Sequence, residues 1–334
     1  MSQNSRGIGP LDWKKLVDEA LRRRKAEGMT QREHAALAGV SIPTIAAFER
    51  GERTLTLAKA FDILRVVGLI EEEPADGAQN AFVKDSFERW RRLVDTLPAD
   101  APGRFPHGWY RIDYCLEGDL RTVGLTEYED LLRKAVTRHT GWPAFLFLTK
   151  PGLAPREVDG AIECWLAATG VDRADSDAAH SDFWRAVPSG RQFLMRGLQE
   201  DGQETFPPGT VFDSTLPIWR LGEALLHAEK LATLLRKNES ASVTARFRVI
   251  YTGLSGRVLR SWANPLSDLW FEGHAARSDE AVLEATMPAG GITERLGEHL
   301  FPMIASLYER FGVTGLTVGR VKAEADRLLG SRAG

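Results

Sequence analysis

The twenty-two residues TQREHAALAGVSIPTIAAFERG, numbered 30–51, constrain this chain more than any other stretch. Thr30 stands where a helix needs a cap, and Glu33 three residues later completes a capping box. Ala35 is small enough for a second helix to cross over it, and Gly39 occupies a tight turn where positive φ is needed. Ser41 then caps another short helix, on which Ile45 and Phe48 face inward on successive turns. Pro43 is no breaker there, because a first-turn N–H has no intrahelical partner. The flanks are helical too. Trp13, Leu16, Val17, Ala20 and Leu21 share one face of a helix capped by Asp12, carrying the basic run Arg22 to Lys25 near its end and stopped by Gly28. Leu55 to Val67 predict a further helix with Leu57, Ala60, Phe61 and Leu64 inward and Gly68 closing it. A plain helical hairpin also uses small residues and a Gly turn. The Phe48-Glu49-x-Gly51 ending between flanking helices is much less common in one.

Gln31, Ala35, Gly39, Ser41, Ile45, Phe48, Glu49 and Gly51 stand at the spacings of one motif. Over residues 12–70 the chain resembles the Cro/CI-type (Xre-like) helix-turn-helix family of transcriptional regulators. That resemblance implies an all-α head on residues 1–70 that binds double-stranded DNA, with the second motif helix in the major groove. Ser41 would cap that helix, and Ile42, Pro43, Thr44 and Ala47 would face base edges. Ile, Pro and Ala can meet thymine methyls but cannot make bidentate bonds to guanine or adenine. Specificity would then lean on thymines and DNA shape, or on Arg32 and Arg53. Phosphate contacts are expected from Gln31 and the amides at its helix N-terminus, and from Arg50 and Arg53. The resemblance also implies a structural clasp between Glu49 and Arg24.

Charge fits one DNA-facing end. Residues 1–70 carry a net +4 and the remainder −7, although the chain sums to −3. No apolar run approaches the roughly 18 residues that span a bilayer, and the start lacks a signal-peptide profile. Two cysteines, Cys115 and Cys164, cannot build a disulfide framework and fit a reducing compartment. A cytoplasmic bacterial protein is expected, associated with the nucleoid when bound.

Residues 71–84 are acidic, contain Pro and Gly, show no period and are expected to be a linker. Residues 85–330 predict an α+β domain for dimerisation and sensing. Phe87, Trp90, Val94 and Leu97 mark a helix; strands are expected at 109–118, 144–149, 161–167, 190–197, 243–252 and 257–263. Thr252–Arg257 reads as a hairpin between the last two. Helices are expected at 126–138, opened by a Thr126–Glu129 capping box, and at 217–236, 292–311 and 317–329. DGAIECWLA, DFWRAVPSGRQFLMRGLQEDG and TLPIWRLGEALLHAEKLA resemble a region that follows helix-turn-helix or AlbA/Schlafen-like domains in uncharacterised bacterial proteins. No activity transfers from it.

Chemistry is sparse in this part. The seven histidines include no HExxH, neither cysteine has a partner at finger spacing, and there is no Walker loop or GxGxxG. No enzyme activity, cofactor or metal is expected. Ser189 and Lys230 are the nearest approach to a self-cleaving pair, but Lys230 lies on a helix by periodicity. The acidic cluster Glu200, Asp201 and Glu204 reads as solvated. Trp165, Trp184, Arg185, Arg191, Arg196, Trp219 and Arg220 could line a site for a small-molecule or protein effector; plain core packing is the alternative. Residues 1–70 offer no large apolar surface, so a homodimeric repressor held by the second domain on an inverted repeat is expected. The competing readings are an antitoxin or defence component that holds a partner protein, and a DNA-directed enzyme.

Overall fold

The computed structural model describes residues 12–70, 74–99, 101–166, 181–265, 267, 269, 271 and 273–331. The chain divides into two compact units, residues 1–84 and 85–334. The first unit is helical: α1 Trp13–Ala26, α2 Gln31–Ala38, α3 Ile42–Glu49, α4 Leu57–Val66 and the start of α5, Pro74–Val94. Side-chain oxygens open each of the first four, from Asp12, Thr30 with Glu33, Ser41 and Thr56. Their inward faces meet in one core around Val17, Ala20, Ala35, Ile45, Phe48 and Ile63.

Two expectations change here. The stretch expected as a linker is helical from Pro74 onward, within α5. Val83 is buried there, and Lys84 ties back to the Val66 carbonyl and to Glu27. Leu57, expected inward, is 66% exposed. Thr56 caps α4, so Leu57 is its first residue and the inward face is Ala60, Ile63 and Leu64.

The second unit is α+β, built on a seven-stranded antiparallel sheet. Its strands are β1 Trp109–Gly118, β2 Arg156–Val158, β3 Ala161–Trp165, β4 Asp182–Val187, β5 Arg191–Gly197, β7 Val243–Tyr251 and β9 Ala281–Pro288. They lie in the order β2-β3-β4-β5-β1-β7-β9. A small parallel pair joins β6 Val211–Asp213 to β8 Val258–Arg260. The helices are α6 Leu125–Ala135, α7 Leu216–Leu235, α8 Leu296–Glu309 and α9 Val318–Gly330.

Strand β1 is central and buried along nearly its whole length, because both faces of the sheet are covered at this strand. Tyr110, Ile112, Tyr114 and Leu116 point into the main core with α6–α9. Trp109 points the other way, within 6.5 Å of the rings of Phe87 and Trp90 on α5. Close packing of α8 on α9 needs Gly297: a Cβ there would come 2.7 Å from the Lys322 Cα. Buried carboxylates tie elements together. Asp213 accepts the N–H groups of Thr215, Leu216, Trp262 and Ala263, joining the start of α7 to the chain beyond β8.

Most other departures from expectation share a cause, namely partners distant in sequence. The 144–149 run is a buried loop, not a strand; Phe145 has φ +52°, and the Leu146 carbonyl accepts from the Trp184 indole. Residues 252–257 form no hairpin, since both edges of β7 are taken by β1 and β9. There the fully buried Arg257 guanidinium bonds Asp201 and the carbonyls of His107, Val211 and Gly253. No capping box opens α6, whose cap is Gly124; Glu129 pairs with Arg133 instead. Nor is the acidic cluster solvated as a whole. Glu200 is buried against the Asp213 N–H and Asp201 pairs with Arg257, leaving only Glu204 exposed.

Candidate nucleic-acid interface

Helices α2 and α3 are set by backbone chemistry at their junction. Gly39 has φ +67° in the left-handed region, which lets the chain turn at once after α2. The Val40 N–H bonds back to the Ala35 carbonyl, and Ser41 then accepts the Thr44 N–H at 3.3 Å to start α3. Ala35 is fully buried under the crossing, and Ile45 and Phe48 seal the inner face of α3. Trp13 meets Phe48 edge-on at 5.4 Å between ring centres, and its indole N–H bonds the Gly51 carbonyl.

The clasp between α1 and the motif is present. Arg24 Nε donates to Glu49 Oε1 at 2.6 Å, with both side chains nearly buried. Arg24 also bonds the Met29 carbonyl at 2.5 Å. A third member was missed by sequence reasoning: Gln31 Nε2 donates to Glu49 Oε2 at 2.6 Å. The signal was available, because Gln31 opens the helix that crosses α3. One of the two N–H groups of its amide is thereby engaged by Glu49. His34 sits behind this junction with Nε2 3.0 Å from the Ile63 carbonyl. Burial pushes its pKa below the ordinary imidazole value and favours the neutral ring.

Outward from this frame, the expected DNA-facing residues fall on one region of the head. Pro43 is exposed at the start of α3, with Ile42, Thr44 and Ala47 half-buried around it. Arg50, at the far end of α3, is exposed and paired with Glu52 at 2.8 Å. Arg53 is exposed in the loop that follows, and Arg32 is half-buried on α2. An open groove of about 780 Å³ runs beside Arg53, bordered by Trp13, Lys15, Leu55 and Leu57.

The Trp/Arg set of the second unit does not converge. Trp184 and Arg196 lie on the face of the sheet that packs against α6–α9, whereas Trp165, Arg185 and Arg191 lie on the other. Arg196 is buried in a two-pronged pair with Asp182, Arg185 is buried between Asp85 and Glu163, and Arg191 bonds Ser189. Trp219 is half-buried on α7. Arg220 bonds Thr140, Gln199, Glu223 and the Trp142 carbonyl. It borders a cavity of about 20 Å³ together with Tyr110, Glu200, Phe212 and Tyr251. That is room for about one water. Burial and the nearby Asp213 push the Glu200 carboxyl up to about 7. Lys230 bonds the Val136 carbonyl and Ser189 accepts from Arg191, so each side chain is engaged away from the other.

The family model for helix-turn-helix domains matches residues 21–73. Residues 21–73 are a helix-turn-helix domain of the Cro/CI type. The matched span holds α2, α3 and α4 whole and begins within α1. A domain of this kind points to DNA binding. Comparison with curated proteins and with solved structures gave no match. No described helix is long and apolar enough to cross a membrane.

Proposed function

We propose that this protein is a sequence-specific, double-stranded DNA-binding transcriptional repressor that acts as a homodimer on an inverted repeat. One observation carries the reading. The outward start of α3, around Pro43, is held in fixed register by the Arg24–Glu49–Gln31 clasp, and it lies inside the matched helix-turn-helix span. Laid in the major groove, α3 places Ile42, Pro43, Thr44 and Ala47 at base edges. Arg50 and Arg53 then reach the flanking phosphates.

A single helix of eight residues covers only a half-site, so selectivity needs two heads about one helical turn apart. The second unit, with its large core, supplies the assembly surface and a sensing role for a small-molecule or protein effector, without catalysis. Footprinting of the full chain on the DNA upstream of its own gene tests this. Two protected half-sites related by a dyad, together with a dimer in sedimentation, are expected. A monomer that fills the half-sites independently would overturn the dimer, and no protection at all would overturn repression at that site.

A further inference from the structure

The outward start of α3 is poor in polar reach. Ile42, Pro43 and Ala47 carry no side-chain polar atom, and the nearby Ser41 and Thr44 hydroxyls lie 2.8 Å apart, bonded to each other. Ser41 also accepts the Thr44 N–H, and one N–H of the Gln31 amide is held by Glu49. Reading guanine or adenine takes a paired set of donors and acceptors extended into the groove. This surface has none in its first turn. It offers apolar contact instead, and Pro43 and Ala47 offer it without losing side-chain rotamers on binding.

In the major groove the apolar group on base edges is a methyl at C5 of a pyrimidine. Thymine always carries it, and cytosine carries it at the same position once methylated. Resting on the assignment of α3 to the major groove, we propose that this head recognises pyrimidine C5-methyl groups. Thymine and 5-methylcytosine are then read alike, and uracil and unmodified cytosine are both disfavoured. The methyl leaves the phosphate charges unchanged, so the arginine contacts form a constant background. Burying one methyl corresponds to about a fourfold gain in affinity.

The test uses the full chain and pools of short random-sequence duplexes copied with thymine or with uracil. Two further pools contain uracil throughout and either cytosine or 5-methylcytosine, so methyls have a single source. In competition, the thymine pool is expected to win over the uracil pool by about fourfold or more, and the 5-methylcytosine pool over its unmethylated counterpart. The exposed Pro43→Ser and the half-buried Ala47→Ser should each bring these ratios toward one. Equal affinity across the pools overturns the proposal while leaving DNA binding standing. Ratios that persist undiminished in both variants also overturn it, because duplex shape would then carry the preference. No binding to any pool overturns both this inference and the assignment of α3 to DNA.

Discussion

Among the described residues the two units differ in how much charge they bury, the head enclosing one guanidinium, Arg24, against Glu49. In the head, the polar side chains that matter lie close in sequence, with Arg24, Gln31 and Glu49 inside one stretch, and the arginines beyond α3 stay in water. In the second unit, arginines are driven into the interior. Arg111, Arg196 and Arg257 are among its largest fully buried side chains, and Arg257 finds Asp201 56 residues away in sequence. The difference teaches where each kind of residue can be spent. Arg50 and Arg53 beyond α3 remain exposed, whereas a buried guanidinium is held by a fixed carboxylate and serves the fold.

If that contrast is right, the largest effect belongs to the interior. Asp182→Ala leaves Arg196 buried without its carboxylate and should cost about 3–5 kcal/mol in denaturant unfolding of the full chain. A loss below 1 kcal/mol would mean that Arg196 escapes to solvent.

Glu200 comes next, and its effect depends on pH. Its folded pKa of about 7 lies above the ordinary 4.5, so the native state holds a proton that the unfolded chain releases. That contribution is full below about 4.5 and is lost as pH rises through 7, by about 3 kcal/mol in total. Glu200→Gln, which keeps an acceptor for the Asp213 N–H, should flatten the decline and gain stability above pH 7. Identical pH profiles for variant and parent would show that Glu200 is charged in the fold.

The head should respond more mildly. Glu49→Gln removes the charge facing Arg24 and should destabilise the helix-turn-helix unit by about 2 kcal/mol, read as exchange protection of α1 to α3 amides. Unchanged protection with abolished DNA binding would move Glu49 from the clasp to the interface. Smallest of all, Leu57→Ser should change stability by less than about 0.5 kcal/mol, because the side chain is solvated.

These residues also mark how far the sequence could be read. The head was legible because caps, the Gly39 turn and the crossing residue act within a few positions of one another. Leu57 shares the side of Ala60 and Leu64 but is the first residue of α4 and lies exposed, and Ile63 joins the buried face instead. In the second unit an apolar run such as 144–149 looks the same whether it is a strand or a buried loop. Only the Trp184 indole, 38 residues away, shows what satisfies its backbone. Glu200 and Asp201 looked solvated because their partners, the Asp213 N–H and Arg257, are remote in sequence. The edge strand β9 was missed for a similar reason: only its register with β7 makes Ala281–Pro288 a strand.

The central claim is that solvated cations around α3 bring this head onto duplex DNA. Its most direct test is the affinity of the full chain for a duplex as salt is raised, repeated with the double variant Arg50→Ala, Arg53→Ala. Two phosphate contacts per head and two heads predict a log–log slope of about −4 for the parent, and a markedly shallower slope with weaker binding for the variant. A parent whose binding ignores salt, or a variant whose slope equals the parent's, would contradict the account.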